Sequence, residues 1–260
     1  MTEVLTQQQA KDFARLHDRK HRAVAGQLLL EGERLVEDAL LSARQLRCLV
    51  VEGEKEQRYA HIIAAVRERG TPVLRASARN TVRLSDTPHP QGIFAVIDLP
   101  STDPAAAIAA APLGRPLFAL HGIADPGNLG TIARSTEWFG GGALLVSEGS
   151  VDVFNSKVVR GSMGSLLRLH IGVYPDFDWL ARAAVDAGRV LSATAMEGGR
   201  APADFEHPGD SLVLLGGEAH GLPAAVMERI PERISIPGGG AESLNIAIAH
   251  AVLSYAFSLT

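Results

Sequence analysis

Strongly apolar runs recur along the second half of the chain and alternate with stretches that have helical periodicity. The four runs cover residues 117–120, 143–146, 190–195 and 212–215. Because almost every position in each run is hydrophobic, both faces of these strands are predicted to be buried, as in a parallel sheet covered by helices. The pattern therefore predicts an α/β fold for residues 105–260.

The first hundred residues alternate between shorter helices and strands, which predicts a small α/β domain. The predicted helices cover residues 7–20, 32–42 and 57–69, with a brief helix near Thr81. The predicted strands cover residues 27–30, 46–51 and 92–98, with a short one near Val73. Pro100 and Pro104 then interrupt the pattern, which indicates a domain boundary. The predicted organisation is a domain at 1–100, a linker at 101–104 and a domain at 105–260.

Two glycine-rich turns follow predicted strands near the end of the chain. Gly216, Gly217 and Gly221 come after the run at 212–215, and residues 238–240 are all glycine. Such turns suit a site that binds a ligand through backbone groups, although glycines that only end a strand explain them equally well. The G-x-G-x-x-G spacing and the Gly-Lys-Ser/Thr of a phosphate-binding loop are both absent, which argues against nucleotide sites of those two kinds.

A third segment of interest lies at residues 125–146, where a predicted strand has just ended and a helix begins. It contains Asn128, Gly130 and Arg134. On the sequence alone, Asn128 could simply cap that helix, and Arg134 could be an ordinary exposed residue.

Together, the three segments resemble the motifs of the TrmH/SpoU-type RNA 2′-O-methyltransferases of the SPOUT superfamily. The resemblance rests on DPGNLGTIARSTEWFGGGALLV, GGEAHGLP and ISIPGGGAESLNIAIAHAVLSYAF, which occur in the family's order and span most of residues 115–258. It implies an S-adenosylmethionine-dependent enzyme, a parallel sheet with a trefoil knot, and a homodimer whose active site takes residues from both subunits. Residues 20–40, with GQLLLEGERLVEDAL, resemble the ribosomal-protein-like substrate-binding domain that precedes many such catalytic domains.

The resemblance assigns four residues to catalysis: Asn128, Arg134, Glu218 and Asn245. Because a guanidinium group stays protonated up to a pKa above about 12, Arg134 is expected to orient the ribose hydroxyl and stabilise the developing alkoxide. The residues expected to bind the cofactor are Thr194, Gly216, Gly217, Gly221, Leu222, Ile236, Ser243 and Leu244. Between Ile236 and Leu244 the chain is one residue shorter than the common family form, and Gly238 replaces an apolar residue. This loop is therefore expected to differ in shape.

Charge is distributed unevenly along the chain, although the net charge is only −4. Residues 1–100 carry 15 Lys and Arg against 13 Asp and Glu, whereas residues 101–260 carry 10 against 16. The densest basic stretch, residues 15–22, either contacts phosphate or forms a solvated helix face. A second stretch, at 154–166, resembles a family segment and is predicted to begin a helix that offers polar and positive groups to RNA. The residues expected to bind RNA are Arg19, Lys20, Arg22, Asn155, Lys157, Arg160 and Ser162.

The composition, 46% hydrophobic and 21% charged, is that of an ordinary soluble protein. No apolar run reaches the roughly 18 residues that a membrane span needs, and no secretion leader is evident. Cys48, the single cysteine, lies in a predicted strand and is expected to be buried and inert, which fits the cytoplasm. The nine histidines lack the spacing of metal ligands, so no metal is expected.

The expected function is methyl transfer from S-adenosylmethionine to a ribose 2′-hydroxyl of RNA, with ribosomal RNA as the expected substrate. One alternative is a transfer-RNA 2′-O-methyltransferase. Another is a non-catalytic RNA- or ribosome-binding factor with the same fold. The presence of all four residues assigned to catalysis favours an enzyme.

Overall fold

The computed structural model describes residues 3–112, 114–205, 208–218, 221–238 and 243–259. The chain forms two compact units. The first consists of the residues up to Pro100 together with Phe154–Leu167, and the second consists of Ser101–Val153 and the chain from Arg168 onward. Residues 154–167 fall inside the predicted domain at 105–260, whereas their contacts lie with the first unit.

The first unit contains a mixed five-stranded sheet flanked by short helices. In chain order its elements are β1 (Glu3–Val4), α1 (Gln7–Ala14), α2 (Arg19–Ala25), β2 (Gln27–Glu31), α3 (Glu33–Leu41), β3 (Leu46–Glu52), α4 (Ala60–Glu68), β4 (Val73–Ala76), α5 (Ala78–Leu84) and β5 (Ile93–Asp98). The strand order is β1-β4-β3-β5-β2. Strands β1, β4 and β3 run parallel, and β5 runs antiparallel to β3 and β2. The predicted small α/β domain is therefore observed.

The helix predicted over residues 7–20 is divided into two helices in the structure. After α1, Arg15–His17 form a 3₁₀ turn. Asp18 then adopts an extended conformation, and its side chain caps α2 by accepting a hydrogen bond of 2.8 Å from the backbone N–H of His21. A short polar side chain that bonds to the backbone ahead of it starts a new helix, so the continuous helix was a wrong prediction.

The rest of the chain continues with thirteen elements. They are α6 (Pro104–Ala110), β6 (Leu117–His121), α7 (Pro126–Trp138), β7 (Ala143–Ser147), α8 (Ser156–Gly161), α9 (Ser165–Arg168), β8 (His170–Tyr174), α10 (Phe177–Asp186), β9 (Val190–Thr194), β10 (Ser211–Gly216), α11 (Ala224–Met227), β11 (Glu232–Ile234) and α12 (Ile246–Ser258). All the strands of this list form one sheet in the order β11-β9-β10-β6-β7-β8.

The sheet of the second unit is parallel throughout, which confirms the predicted architecture. The four apolar runs form β6, β7, β9 and β10, the interior of the sheet. Strand β8 was not predicted, because its sequence HIGVY contains a polar residue and a glycine and lacks a strong apolar run. The trefoil knot stays a prediction. Within the described residues, no helix is long and apolar enough to cross a lipid bilayer.

The segment Phe154–Leu167 is held tightly within the first unit. Gly164 has a φ of 85°, and a Cβ built on it would lie 2.2 Å from a carboxylate oxygen of Asp38. Only glycine therefore fits at this point. Nearby, the Arg44 guanidinium donates a hydrogen bond of 3.0 Å to the carbonyl of Leu167. These contacts fix the ends of α8 and α9 against α3.

Candidate active site

The residues predicted to carry catalysis follow the carboxyl ends of the parallel strands. His121 ends β6 and pairs with Gly216, which ends the neighbouring β10. On the other side of β10, strand β9 ends at Thr194. In open α/β sheets, ligands bind in the crevice outside these strand ends. The sheet thus places the loops after β6, β9, β10 and β11 around one edge.

Glycine is required in the turn after β10, because other backbone segments pack directly against Gly216 and Gly217. A Cβ on Gly217 would lie 2.2 Å from the carbonyl oxygen of Gly122, and one on Gly216 would lie 2.3 Å from the carbonyl carbon of Gly221. The backbone N–H of Gly217 also donates to the carbonyl of His121 at 2.8 Å. The close approach that excludes a side chain is therefore between two backbone segments, β6–α7 and β10. This approach sets the direction in which Glu218 leaves the sheet.

Asn128 is not the cap of α7, because Asp125 fills that position. The Asp125 carboxylate accepts a hydrogen bond of 2.8 Å from the backbone N–H of Asn128, and Pro126 occupies the first helical position. The side chain of Asn128 is therefore available for other contacts. Its Nδ2 donates to Oε1 of Glu218, and its Oδ1 accepts a hydrogen bond of 3.1 Å from Nδ2 of Asn245.

Asn245 joins this group from the start of α12. Its Oδ1 accepts hydrogen bonds from the backbone N–H groups of Ala247 at 2.9 Å and Ile248 at 3.3 Å, which caps the helix. Its Nδ2 is then directed to Asn128. We call Asn128, Glu218 and Asn245 the polar cluster. Since both ends of the Asn128 amide have partners, the cluster is held in one orientation, and the second carboxylate oxygen of Glu218 bonds to none of the described residues.

Arg134, the fourth residue assigned to catalysis, does not join the polar cluster of its own chain. It lies six residues after Asn128 on α7, which corresponds to about 9 Å along the axis and a direction about 120° away. The side chain is exposed and makes no hydrogen bond or ion pair with the residues that the structure describes. The chain therefore brings together three of the four predicted catalytic residues.

A buried histidine that no sequence motif indicated fixes α12 against α7. His250 is fully buried, with Nδ1 2.9 Å from the Ser135 hydroxyl and Nε2 3.2 Å from the Thr136 hydroxyl. Burial lowers the pKa of His250 to about 3. The neutral ring thus ties together the two helices that begin next to Asn128 and Asn245. The available signal was a histidine in the first two turns of IAIAHAVLSYAF, where every other residue is apolar.

The residues predicted to bind the cofactor surround the same sheet edge but differ in exposure. Thr194 donates from its hydroxyl to the carbonyl of Leu214 at 3.4 Å. Leu222 packs against the core, whereas Ser243 is exposed and Leu244 is 49% exposed. The backbone groups of Ile236 and Leu244 make no hydrogen bond with other described residues. The predicted change of shape concerns the loop between Ile236 and Leu244, of which residues 239–242 lie outside the described residues, so it stays a prediction.

Two of the side chains predicted to bind RNA are used inside the first unit. Arg22 is 3% exposed, and its guanidinium donates to the carbonyls of Leu16 and His17 at 2.8 Å each. Ser162 is fully buried, and its hydroxyl donates to the carbonyl of Val159 at 2.8 Å. Because their polar groups are directed inward, we exclude Arg22 and Ser162 from the RNA-binding set.

The other predicted RNA-binding residues lie nearer the surface. Arg19 and Lys20 are exposed at the start of α2. On α8, Lys157 is exposed, and Arg160 lies 3.5 Å from the Asp86 carboxylate. Asn155 caps α8 by accepting a hydrogen bond of 2.9 Å from the backbone N–H of Lys157. Since α8 has only six residues, its side chains, more than its dipole, would carry any contact with phosphate.

One group with the composition of a metal site occurs among the described residues, in the first unit. Glu33, Glu37 and His61 offer ligand atoms within 4.8 Å of one another. Arg58 already pairs with Glu33 at 3.0 Å, and His61 is exposed. Exposed groups of this kind are common without an ion, so the cluster does not indicate a metal-dependent reaction.

Comparison with known families gives two matches, one on each side of the linker predicted at residues 101–104. Residues 116–255 match the SpoU rRNA Methylase family. Residues 7–95 match the MRM3-like substrate binding domain. The first match contains the whole polar cluster and Arg134, and the second contains Arg19 and Lys20.

Individual relatives resemble the chain over nearly its whole length. The 23S rRNA (guanosine(2553)-2′-O)-methyltransferase RlmP of Bacillus subtilis is 31% identical over 95% of both chains. The structure of an AdoMet-bound rRNA methyltransferase from Sinorhizobium meliloti superposes with a TM-score of 0.83 and 27% identity, covering 98% of this chain and 96% of that one. The SpoU methyltransferase AviRb of Streptomyces viridochromogenes, in complex with AdoMet, gives a TM-score of 0.83 and 27% identity over 98% of both chains.

Proposed function

The chain belongs to the SpoU rRNA methylase family, and we propose that it transfers a methyl group from S-adenosylmethionine to a ribose 2′-hydroxyl of ribosomal RNA. The observation that carries this proposal is the polar cluster. Asn128, Glu218 and Asn245 come from three separate motifs and bond to one another beside the carboxyl ends of the strands. The S. meliloti and S. viridochromogenes structures, both with AdoMet, support the choice of methyl donor.

The residues around the sheet edge fit an adenosine-containing cofactor. The backbone groups of Ile236 and Leu244 have no partner among the described residues, and the exposed Leu244 side chain offers an apolar contact for a base. Thr194 lies at the end of the neighbouring β9. When bound, S-adenosylmethionine supplies a methyl group that is already activated by the sulfonium. The protein then has to orient the ribose and stabilise its oxygen.

The polar cluster can orient the ribose through Glu218. One carboxylate oxygen is held by Asn128, and the other can accept a hydrogen bond from the ribose hydroxyl. Asn245 fixes the Asn128 amide in turn, so the position of Glu218 depends on the cap of α12. Arg134 supplies the positive charge that stabilises the developing alkoxide.

A homodimer would bring the missing Arg134 to the polar cluster. Trp138, which follows Arg134 by one turn on α7, is 82% exposed. On α12, Ile248, Val252 and Tyr255 form a stripe of exposed apolar side chains, 54%, 38% and 55% exposed. Exposed apolar side chains on two packed helices favour an interface with a second copy. We infer that Arg134 of the partner subunit completes the catalytic group.

The first unit provides the RNA-binding part of the proposed enzyme. It matches a substrate-binding domain, and its exposed basic residues Arg19, Lys20 and Lys157 can contact phosphates. The division proposed is therefore that residues 1–100 select RNA, whereas residues 105–260 bind the cofactor and form the dimer. The segment 154–167 is the exception, because it packs with the first unit.

We assign the protein to the cytoplasm, where ribosomal RNA would be its substrate. Cys48 supports this assignment. Its thiol is buried, and burial raises its pKa to about 12, so it is neither a disulfide partner nor a reactive nucleophile.

Methyl transfer to defined RNA tests the proposed function. The purified protein is incubated with methyl-labelled S-adenosylmethionine and 23S ribosomal RNA transcribed in vitro, the RNA class named for RlmP. Methylated positions are mapped by resistance of the adjacent phosphodiester to alkaline hydrolysis. We expect label at one ribose, and loss of the same 2′-O-methyl mark in ribosomal RNA from cells that lack the protein. A 23S transcript that stays unlabelled while a parallel reaction with transfer RNA is labelled, or label on a base, would contradict the proposal.

A further inference from the structure

A carboxylate at the end of β2 organises the loop that connects α5 to β5. One oxygen of Glu31 accepts hydrogen bonds from the hydroxyls of Ser85 at 2.5 Å and Thr87 at 3.0 Å. Its other oxygen accepts a hydrogen bond of 3.1 Å from the backbone N–H of Asp86. Three donors from one loop therefore bond to a single carboxylate, and this fixes the backbone from which the Asp86 side chain extends.

Asp86 in turn holds α8. The Ser156 hydroxyl donates to Oδ2 of Asp86, and the Arg160 guanidinium lies 3.5 Å from the same oxygen. Ser156 and Arg160 are separated by four positions, so they lie on one face of the helix. A helix of six residues is not stable alone. Its orientation therefore depends on contacts such as these, and the orientation sets the direction of the neighbouring, exposed Lys157.

Asp86 is an acidic residue among basic ones. The hydrogen bond from Ser156 lowers the pKa of Asp86, and the nearby positive charges of His17 and Arg160 lower this pKa further. Arg19 and Lys20 begin α2 after Asp18, two and three positions beyond His17, and are exposed. If Asp86 were only a surface charge, it would weaken binding of the RNA backbone by repulsion. Its fixed position and its two contacts with α8 indicate a different role.

We propose that Asp86 is a positioning residue for RNA binding, which holds α8 so that Lys157 reaches the RNA backbone. The proposal rests on the proposed function for the identity of the RNA. For the effect of Asp86 on RNA affinity, this role predicts the opposite of simple charge repulsion. Removing the negative charge should weaken RNA binding, because Lys157 loses its orientation, whereas repulsion alone predicts tighter binding.

The test measures the Kd of the full-length protein for the same 23S transcript by fluorescence anisotropy. Asp86→Asn should raise the Kd about fourfold, close to the loss expected for Lys157→Ala, and Ser156→Ala, which changes no charge, should raise it about twofold. Glu54→Gln is the matched control, since Glu54 is an exposed acid of the first unit without a side-chain partner among the described residues. Its Kd should equal that of the unaltered protein. Calorimetric titration with S-adenosylmethionine should give the same affinity for every variant.

A double variant separates positioning of Lys157 from a general loss of structure. If Asp86 acts through Lys157, then Asp86→Asn combined with Lys157→Ala should bind RNA as Lys157→Ala does alone. Additive effects, or tighter binding by Asp86→Asn, would overturn the inference. The readout is binding, so the inference can fail while methyl transfer by the unaltered protein persists. Absence of transfer by the unaltered protein would instead count against the proposed function.

Discussion

The polar cluster of the second unit and the exposed basic residues of the first unit, Arg19, Lys20 and Lys157, are held in different ways. In the polar cluster, the side chains of Asn128, Glu218 and Asn245 bond to one another. The caps at the starts of α7 and α12 also fix the two asparagines. Among these basic residues, Lys157 has no side-chain partner in the part of the chain that the structure describes, and its direction depends on how α8 is held. A preorganised catalytic group and an adaptable phosphate contact place different demands on the fold. Substitutions should therefore affect rate in the first region and affinity in the second.

The largest effect is expected from Gly217→Val, which places a side chain where the carbonyl oxygen of Gly122 lies 2.2 Å from the Cβ position. The turn before Glu218 has to move, so cofactor binding should be lost and unfolding should become easier by more than about 3 kcal/mol. Calorimetric titration and thermal unfolding measure the two changes. Gly238→Ala is the control for the melting temperature, because no atom of the described residues lies within 4 Å of its Cβ position. An unchanged melting temperature in Gly217→Val would show that the backbone approach is not a constraint.

A smaller, purely catalytic loss is expected from Asn245→Asp. Aspartate keeps the oxygen that caps α12 but removes the Nδ2 donor to Asn128, and it adds a second carboxylate near Glu218. The rate of single-turnover methyl transfer should fall about a hundredfold, whereas the melting temperature should stay within about 2 °C. Equal rates for the variant and the unaltered protein would mean that the polar cluster is structural only.

The free energy of unfolding should fall in acid, because the unfolded chain binds a proton at His250 more readily than the folded protein does. The pKa of His250 is about 3 in the folded protein, below the ordinary value of 6.5. This contribution to stability is complete above pH 6.5 and is lost progressively as the pH falls toward 3, by about 2 kcal/mol at pH 5. Urea unfolding at a series of pH values checks it, with His250→Gln as the non-titrating comparison. The two proteins should differ in slope over this range, and equal slopes would contradict the assignment.

The smallest effects distinguish two basic residues of the first unit. Lys157→Ala should weaken RNA binding by about 1 kcal/mol and reduce the dependence of log Kd on log salt by about one, with no change in stability. Arg22→Ala should instead lower the stability and leave RNA binding and its salt dependence unchanged. Its loss leaves the carbonyls of Leu16 and His17 without their donor and should destabilise the fold by about 2 kcal/mol. If Arg22→Ala instead changed the salt dependence, Arg22 would belong to the RNA-binding surface.

Much of the architecture was predictable because local patterns determine it. The four apolar runs became the interior strands of a parallel sheet, since nothing but burial on both faces accommodates such sequences. Strand β8 and the break at Asp18 were not predictable in the same way. Strand β8 is defined by its pairing with β7, a contact distant in sequence, and the break depends on one side chain bonding to the backbone ahead.

The sequence was sufficient to predict which residues belong to the candidate site, but not how they contact one another. The motifs identified Asn128, Glu218 and Asn245, but only the folded chain shows that Asp125 caps α7 and so releases the Asn128 side chain. Glycine at 217 signalled a close backbone approach, and the structure shows that the approach involves Gly122 of the same chain. Which basic residues point outward could not be predicted, because burial of a side chain such as Arg22 depends on tertiary contacts.

In the proposed active site, the polar cluster of one subunit works with Arg134 of the partner subunit to methylate ribosomal RNA. Two variants, Arg134→Ala and Asn128→Ala, are each expected to be inactive in methyl transfer to 23S ribosomal RNA. They are unfolded together, refolded as a mixture and assayed. If the active site is shared, each mixed dimer contains one intact site, and an equal mixture should regain about a quarter of the unaltered activity. If the mixture stays as inactive as the separate variants, although mass spectrometry shows mixed dimers, then Arg134 does not act across the interface and the proposed active site is wrong.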